Sequence, residues 1–165
     1  MTTNLNARLS SSPLTYRTIQ ADDMGRLRRM FERCSRVTIY RRFFCAYPTA
    51  IPDRLLQRLT YVDYVNRHAV VAVVDDEIVG MASFDKVGAG DEADVAICVE
   101  DAWQRNGVGR ALLDWLADLA LRRGVATLTA DVQADNRAAC ALVAAVLPGA
   151  QLTLQGTTYA VRAVL

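Results

Sequence analysis

The chain has 165 residues, of which 52% are hydrophobic and 22% are charged, and its formal net charge is +1. This length is sufficient for one domain with a buried core. The near-neutral charge gives no electrostatic case for nucleic acid or a membrane surface as the main partner. No apolar run approaches the roughly 20 residues of a membrane span, so we expect a cytoplasmic protein.

The start of the chain is rich in Ser, Thr and Asn and lacks the apolar stretch of a signal peptide. We therefore predict a disordered segment over residues 1–13 and a single domain over residues 14–165. A strand is predicted from Leu14 to Gln20 and a helix from Met24 to Cys34. The polar face of that helix carries four arginines: Arg26, Arg28, Arg29 and Arg33. It is either a solvated surface or a contact for an acidic partner.

The segment after the first helix mixes aromatic residues and arginines unusually closely for a surface helix. The residues that show this pattern are Tyr40, Arg41, Arg42, Phe43 and Phe44. A short helix ending near Leu59 is predicted next, and the polar segment Val62–His68 follows it. The aromatic side chains could simply cover a sheet, or they could line a site.

The rest of the chain alternates between strands and helices. The predicted strands are Ala69–Val74, Ile78–Asp85, Ala93–Val99, Thr127–Val132, Gln151–Leu154 and Thr158–Val164. The predicted helices are Gly107–Arg123, which has a wide apolar stripe, and the Ala-rich Asn136–Val146. Strands dominate and helices cover them, which predicts an α/β fold with a sheet of mixed pairing.

The junction between the strand Ala93–Val99 and the long helix is the most informative stretch. A helix that begins at a glycine-containing loop directs unpaired backbone N–H groups and the positive end of its dipole at whatever lies before it. Phosphate suits such a place. A Walker loop is excluded because its lysine and hydroxyl are missing, and a dinucleotide fingerprint is excluded because position 112 is Leu.

The loop sequence Gln104-Arg105-Asn106-Gly107-Val108-Gly109 resembles the Gln/Arg-x-x-Gly-x-Gly/Ala pyrophosphate loop of the GNAT superfamily of acetyl-CoA-dependent N-acetyltransferases. Downstream, Asp135–Ala139 is similar to the second cofactor motif of that superfamily. The resemblance extends from about Tyr16 to the C-terminus. It implies a GNAT-like mixed, mostly antiparallel central sheet flanked by helices, with acetyl-CoA as co-substrate and no metal.

The resemblance also implies which residues contact the cofactor. Backbone N–H groups at about Ile97–Val99 would polarise the thioester carbonyl, and the loop would hold the pyrophosphate. The expected cofactor-binding residues are Ile97, Cys98, Val99, Gln104, Arg105, Asn106, Gly107, Val108, Gly109, Arg110 and Asn136. For Asn136 the alternative is a helix N-cap.

Two further segments, Tyr40–Phe44 and Val62–His68, look like those of Pat-type bacterial protein lysine acetyltransferases. In such enzymes they wall the acceptor side of the active site. The implied function is transfer of an acetyl group to a primary amine, with a protein lysine favoured as acceptor. The alternatives are a small-molecule amine acceptor and a non-catalytic acyl-CoA-binding module. Many members of the superfamily place a general-acid Tyr where this chain has Val143, although Pat-type members often lack it.

A lysine amine is protonated at neutral pH, so a base is needed. Asp94 is the favoured candidate, because it stands where the Pat-type pattern usually has Glu and because alternation places it opposite Val95 and Ile97. Glu92 is the alternative base if the register differs by two residues. The structural alternative for Asp94 is an exposed position at the start of the strand.

The four cysteines show no zinc-site spacing and are expected to be reduced thiols. Cys98 lies on the central strand, but His68, the single histidine, is distant in sequence, so a Cys–His nucleophile has little support. The sequence names neither the acceptor nor the oligomeric state.

Overall fold

A computed structural model describes residues 12–47 and 50–165. The strands are β1 Thr15–Thr18, β2 Arg67–Val74, β3 Glu77–Lys86, β4 Glu92–Val99, β5 Thr127–Gln133, β6 Gln151–Gln155 and β7 Thr158–Val164. The helices are α1 Met24–Arg33, α2 Arg36–Phe43, α3 Asp53–Thr60, α4 Val108–Arg122 and α5 Arg137–Val146. The ends of the strands and of the long helices differ from the predicted ones by at most two residues. The segment predicted to be disordered, residues 1–13, lies almost entirely outside the described residues.

The strands form one seven-stranded sheet in the order β1-β2-β3-β4-β5-β7-β6. The pair β4–β5 is parallel, and the other neighbouring pairs of the described chain are antiparallel. The prediction of an α/β fold with a mixed, mostly antiparallel sheet is therefore confirmed. The parallel pair lies at the centre of the sheet, and α4 makes the crossover between its two strands.

The core lies on both faces of the sheet, and β2 shows why. Its apolar run is continuous rather than alternating, as expected for a strand that is covered on both sides. Val71 and Val73 join the cluster formed with α1, α2 and α3, while Val70 and Val74 join the cluster formed with α4. Helix α5 packs against α4 and over β5 and β7.

Gly80 in β3 decides how closely α4 approaches the sheet. A Cβ atom at this position would lie 3.0 Å from Leu112 Cδ1 and 3.2 Å from Val108 Cγ1, closer than side chains normally pack. The missing side chain therefore allows the first turns of α4 to rest on β3. This contact positions the N-terminus of α4 beside the end of β4.

The arginine face of α1 is neither simply solvated nor open to an acidic partner. Its four arginines form ion pairs within the chain: Arg26, Arg28, Arg29 and Arg33. Arg29, for example, lies 2.6 Å from an Oε1 atom of Glu77 at the β2–β3 turn. Each exposed pair contributes only about 0–1 kcal/mol. Three of the four arginines hold α1 against the β2–β3 hairpin, and the pair of Arg28 with Asp53 connects α1 to α3. None of the helices in residues 12–47 and 50–165 has the length and apolarity to cross a membrane.

Candidate active site

The two central strands separate along their length. The parallel ladder of β4 and β5 runs from Glu92↔Thr127 to Asp94↔Thr129. Beyond this point, residues 95–99 and 130–133 form no pairs with each other in the described structure. The sheet therefore opens into a fork, and Asp94 stands where the opening begins.

The main chain of β4 presents hydrogen-bonding groups to this opening. The N–H of Glu100 donates to the carbonyl of Val79 on β3, and the carbonyl of Glu92 accepts from Val87, so even-numbered residues of β4 face β3. Because successive residues of a strand face opposite neighbours, the N–H and C=O groups of Ile97 and Val99 face the gap. Cys98 faces β3, so its predicted backbone contact with a cofactor does not fit this geometry.

The N-terminus of α4 closes the other side of the gap. Gly107 is its N-cap with φ of 80°, a left-handed conformation that suits glycine, and no side chain caps the helix. Arg105 is also left-handed, with φ of 61°. The first N–H groups of α4 therefore remain available to an anion at the positive end of the helix dipole.

Between these elements lies a cavity of about 880 Å³, a size typical of small-molecule and cofactor sites. Its charged lining consists of Arg41, Arg42, Arg105, Arg110, Arg137, Asp94 and Asp131. Five arginines, two aspartates and a helix N-terminus suit a long ligand with anionic groups. The residues present therefore fit a phosphate-bearing cofactor.

Nine of the expected cofactor-binding residues line this cavity: Ile97, Cys98, Val99, Gln104, Arg105, Gly107, Gly109, Arg110 and Asn136. Two do not. Asn106 turns back on the loop, where its Nδ2 donates to the carbonyl of Gln104 at 3.1 Å. The side chain of Val108 is buried against β3 and β2.

A hydrogen-bond network connects the loop to α2. Gln104 Nε2 donates to the carbonyl of Val99 at 3.0 Å and to Thr38 Oγ1 at 3.2 Å. Asp101 accepts from the Oγ atoms of Ser35 and Thr38 at 2.7 and 2.9 Å. Burial alone would raise the pKa of Asp101, but the hydrogen bonds from Ser35 and Thr38 outweigh it and lower the pKa. The loop and α2 are therefore joined by side-chain hydrogen bonds.

Asp94 lies where the large cavity meets a smaller one. The second cavity, of about 190 Å³, lies between the sheet and helices α2 and α3, and it shares Asp94, Ala96 and Arg42 with the first. Asp94 is exposed, as its structural alternative predicts, but it faces these cavities. Partial desolvation raises the pKa of Asp94, and the carboxylates of Asp131 and Asp85 raise it further, while Arg42 opposes them. A carboxylate with a raised pKa that is open to a cavity is suited to accept a proton.

Arg42 is the cation that faces Asp94. Burial lowers the pKa of its guanidinium, partly offset by the nearby Cys98 and Asp94. Its Cζ atom lies 4.8 Å from the centre of the Phe43 ring, which holds the side chain in place. It forms no ion pair within 4 Å among the described residues, in contrast to the arginines of α1.

Glu92 occupies a different environment although it lies only two residues earlier. It pairs with Thr127 at the closed end of the fork and forms an ion pair with Arg162 on β7. It lines neither cavity. The structure therefore does not bring the alternative base to the opening.

Asn136 is the N-cap of α5, and its side chain accepts a hydrogen bond from the N–H of Ala139 at 3.2 Å. It also lines the large cavity. The two interpretations of this residue are compatible in space. Val143, which stands in place of a general-acid Tyr, is buried against Val132 and Val161.

The cysteines are free thiols. Hydrogen bonding to Cys98, together with burial, raises the pKa of the Cys34 thiol well above its usual range. The Cys34 thiol is therefore not activated as a nucleophile. Within residues 12–47 and 50–165, no His, Cys, Asp and Glu side chains group in a way that could hold a metal ion.

Sequence reasoning missed Thr38, Asp101 and Asp131 as parts of the site. Thr38 and Asp101 are 63 residues apart, and no periodic signal connects them. Asp131 could have been placed by alternation along β5, in the same way as Asp94 on β4. In the sequence, Arg42 stands out only as part of the segment Tyr40–Phe44, which mixes aromatic residues and arginines.

Comparison with known proteins accounts for this geometry. Residues 36–146 match the sequence profile described as the acetyltransferase (GNAT) family. A 46-residue segment is 54% identical to the ribosomal protein bS18 alanine N-acetyltransferase of Escherichia coli K12. That segment is 28% of this chain and spans about a third (31%) of the curated relative.

Solved structures of other proteins have a similar fold over nearly the whole chain. The GNAT domain of PAT from S. lividans is 30% identical, with a TM-score of 0.84, and the match covers 91% of this chain and 89% of that domain. The PaiA N-acetyltransferase of Thermoplasma acidophilum in complex with coenzyme A shares the fold at 10% identity, with a TM-score of 0.69 and coverage of 93% and 99%. The sequence profile and the PAT domain show that this chain belongs to the acetyltransferase (GNAT) family.

Proposed function

We propose that this protein transfers the acetyl group of acetyl-CoA to a primary amine of another protein, with a lysine side chain as the favoured acceptor. The single observation that carries the proposal is the fork of β4 and β5. It places main-chain N–H groups, a helix N-terminus and an open carboxylate around one cavity. Membership of the acetyltransferase (GNAT) family supports the same chemistry. We expect the protein to act in the cytoplasm.

The N-terminus of α4 is the proposed site for the pyrophosphate of acetyl-CoA. Its first N–H groups, beginning at Val108, and the guanidinium groups of Arg105 and Arg110 would bind the phosphates. The missing side chain of Gly109 leaves room in front of Ile97, Val99 and Leu142, where an added Cβ would make only ordinary contacts. When bound, acetyl-CoA supplies the activated acyl group.

The backbone N–H groups of Ile97 and Val99 are the proposed donors to the acyl oxygen. They are held by the β3–β4 ladder on one side, where Gly80↔Val99 is the last pair. Since β5 does not pair with this part of β4, these donors need no rearrangement to receive a ligand. Preorganised donors of this type stabilise negative charge as it develops.

Asp94 is the proposed general base. At pH 7 only about 1 in 2,500 lysine side chains with an ordinary pKa is neutral, so removal of a proton is required before attack. Partial desolvation raises the pKa of Asp94, which makes it a stronger base than an ordinary aspartate. Because Asp is one methylene shorter than the Glu of Pat-type enzymes, we expect a bridging water between Asp94 and the amine. A thiolate leaving group with a pKa near ~8.5 needs little acid assistance, so Val143 is tolerable.

One specific observation supports a second class of acceptor, the α-amine of a protein N-terminus. The 46-residue match with the E. coli alanine N-acetyltransferase raises the α-amine of a protein N-terminus as an alternative to lysine. The likeness to the PAT domain covers far more of the chain and favours the protein lysine. A small-molecule amine and a non-catalytic acyl-CoA-binding module are the remaining alternatives.

The test uses three acceptors with labelled acetyl-CoA. They are a peptide with one lysine and a blocked N-terminus, a peptide with a free N-terminus and no lysine, and a small primary amine such as spermidine. We expect label on the lysine, located by mass spectrometry, and far slower labelling with the Asp94→Asn variant. Label only on the N-terminus or only on spermidine would assign the alternative acceptor. Binding of acetyl-CoA without any transfer, even to proteins of a cell lysate, would indicate a binding module.

A further inference from the structure

Helix α2 has two distinct faces. The inward face is formed by Thr38, Ile39, Arg42 and Phe43, which bond to Asp101, pack in the core or face Asp94. The outward face is formed by Arg36, Val37, Tyr40 and Arg41, with Phe44 continuing it at the C-cap. At 100° per residue these five positions fall within one arc of the helix surface.

The outward face of α2 exposes apolar surface that folding leaves uncovered. Val37, Tyr40 and Phe44 are 57%, 49% and 41% exposed. Single exposed apolar residues are normal, but three on one short helix, next to a cavity, are typical of an interaction surface. Aromatic residues and arginine are also enriched in the contact regions of protein interfaces.

The charge on this face is unpaired as well. Arg36 and Arg41 form no ion pair within the described chain. From residue 35 to residue 52 the sequence contains no Asp or Glu that could pair with them. On α1, by contrast, all four polar-face arginines are neutralised by carboxylates of the same chain. The positive charge of α2 is therefore left for a partner.

The position of the face connects it to the reaction. Arg41 and Phe44 also line the large cavity at its edge. Thr38 and Gln104 tie α2 to the loop before α4, so α2 is fixed relative to Asp94. A chain segment that lies along α2 would be held beside the opening of the fork.

We infer that the outward face of α2 binds an acidic polypeptide segment that carries the acceptor amine. The inference rests on the proposed function and adds the chemistry of the acceptor's surroundings. Carboxylates of the segment would pair with Arg36 and Arg41, and its apolar atoms would cover Tyr40 and Val37. The phosphates of acetyl-CoA are a less suitable occupant of the face as a whole, because Arg41 and Phe44 line the cavity but Arg36, Val37 and Tyr40 do not. Nucleic acid is less suitable because the chain as a whole carries a net charge of only +1.

The test compares two lysine peptides with blocked ends, one in which glutamates flank the lysine and one in which glutamines replace them. We expect a higher kcat/KM for the glutamate peptide at low ionic strength and a smaller difference in high salt. Arg36→Glu should lower kcat/KM for the glutamate peptide roughly 5-fold or more and leave the glutamine peptide unchanged. A Glu in the first turn of α2 suits the helix dipole, so this variant should fold.

The matched control is Arg123→Glu, which makes the same charge change at an exposed arginine beyond the far end of α4. It should change kcat/KM for neither peptide. Equal rates with both peptides in the wild type would overturn the inference and leave the proposed function standing. Failure to acetylate either peptide would overturn the proposed function. An increased KM for acetyl-CoA in Arg36→Glu would assign the face to the cofactor, and stronger competition by an RNA oligonucleotide than by a lysine-free acidic peptide would assign it to nucleic acid.

Discussion

The two ends of β4 carry the same chemistry in different surroundings. Glu92 and Asp94 are both carboxylates, they lie two residues apart, and alternation points them to the same face of the sheet. At the closed end, β4 is paired on both edges and Glu92 is neutralised by Arg162. At the fork, pairing with β5 stops and Asp94 has no ion-pair partner within 4 Å in the described chain.

The difference shows how a local loss of strand pairing changes the surroundings of a carboxylate. A salt bridge stabilises the charged form of a carboxylate, so that carboxylate accepts a proton less readily. Asp94 is exposed at the opening, but partial loss of solvent and two neighbouring carboxylates raise its pKa. The same opening that removes the partner also exposes the backbone N–H groups of Ile97 and Val99. The site is thus a consequence of two strands diverging.

The largest effect on kcat/KM is expected when each of the two carboxylates of β4 is replaced by an amide in turn. Asp94→Asn should lower kcat/KM by roughly 10² to 10⁴, the usual range for loss of a positioned base, with acetyl-CoA binding retained. Glu92→Gln, the matched control, should leave kcat/KM almost unchanged. Steady-state kinetics with one peptide acceptor check both variants. Near-normal turnover in Asp94→Asn would mean that the base lies elsewhere or that the amine loses its proton in solvent.

The next effect concerns the anion site at the open end. Gly109→Asp should raise the KM for acetyl-CoA roughly 100- to 1,000-fold, because two like charges about 4 Å apart near a protein surface repel by about 4 kcal/mol. Gly109→Ala has room for its Cβ, 3.5 Å from Leu142 Cδ2, and should have a much smaller effect. Thermal shift with coenzyme A measures binding without turnover. An undiminished shift in Gly109→Asp would contradict the assignment of the loop.

A third prediction uses the pH dependence of kcat/KM to test how Arg42 acts on Asp94 at the open end of β4. Since the pKa of Asp94 is raised by partial desolvation and by carboxylates and opposed by Arg42, removing Arg42 should raise it further. Arg42→Met should therefore move the acid limb of the kcat/KM profile to higher pH. Arg41→Met, with the same change in charge on the outward face, should not move it. If the limb stays in place in Arg42→Met, that limb reports a group other than Asp94.

Asn136 gives a smaller effect that distinguishes a cap from a cofactor contact. Asn136→Ser should keep the cap of α5 while its shorter side chain withdraws from the cavity, raising the KM for acetyl-CoA by roughly 5-fold, the value of one hydrogen bond. Asn136→Ala should show the same KM and also lose about 1 kcal/mol of stability through loss of the cap. Kinetics and urea unfolding measure the two quantities. An unchanged KM in Asn136→Ser would leave only the cap.

The smallest effect should have opposite signs at the two ends of β4. Because the folded-state pKa of Asp94 is raised, stability from this group is greatest at acid pH and falls as the pH rises through that pKa. At neutral pH, Asp94→Asn should therefore melt slightly above the wild type. Glu92→Gln should melt at or slightly below it, because the exposed pair with Arg162 contributes only about 0–1 kcal/mol. Calorimetry at pH 7 checks the signs, and a lower melting temperature for Asp94→Asn would contradict the raised pKa.

The sequence by itself determined the elements and the family. Strand alternation in β4, the apolar stripe of α4 and the glycines before it are local patterns, and local patterns fix where strands and helices begin. The pyrophosphate-loop motif consists of six consecutive residues, so it could be recognised without a structure. The two-residue period of a strand was enough to place Asp94 on the face of β4 opposite to that of Val95 and Ile97.

What only the tertiary structure decided is which strands remain paired and which charges meet. Nothing in β4 indicates that its ladder with β5 stops at Asp94, because the ladder joins two parts of the chain that are far apart in sequence. The pairing of Glu92 with Arg162, which holds Glu92 at the closed end of the fork, joins residues 70 positions apart. In the same way, similar arginine runs on α1 and α2 acquire different roles, since the carboxylates that neutralise the first come mainly from a distant hairpin turn. Charge is a property of the sequence, whereas the neighbours that shift a pKa or complete an ion pair are brought together only by the fold.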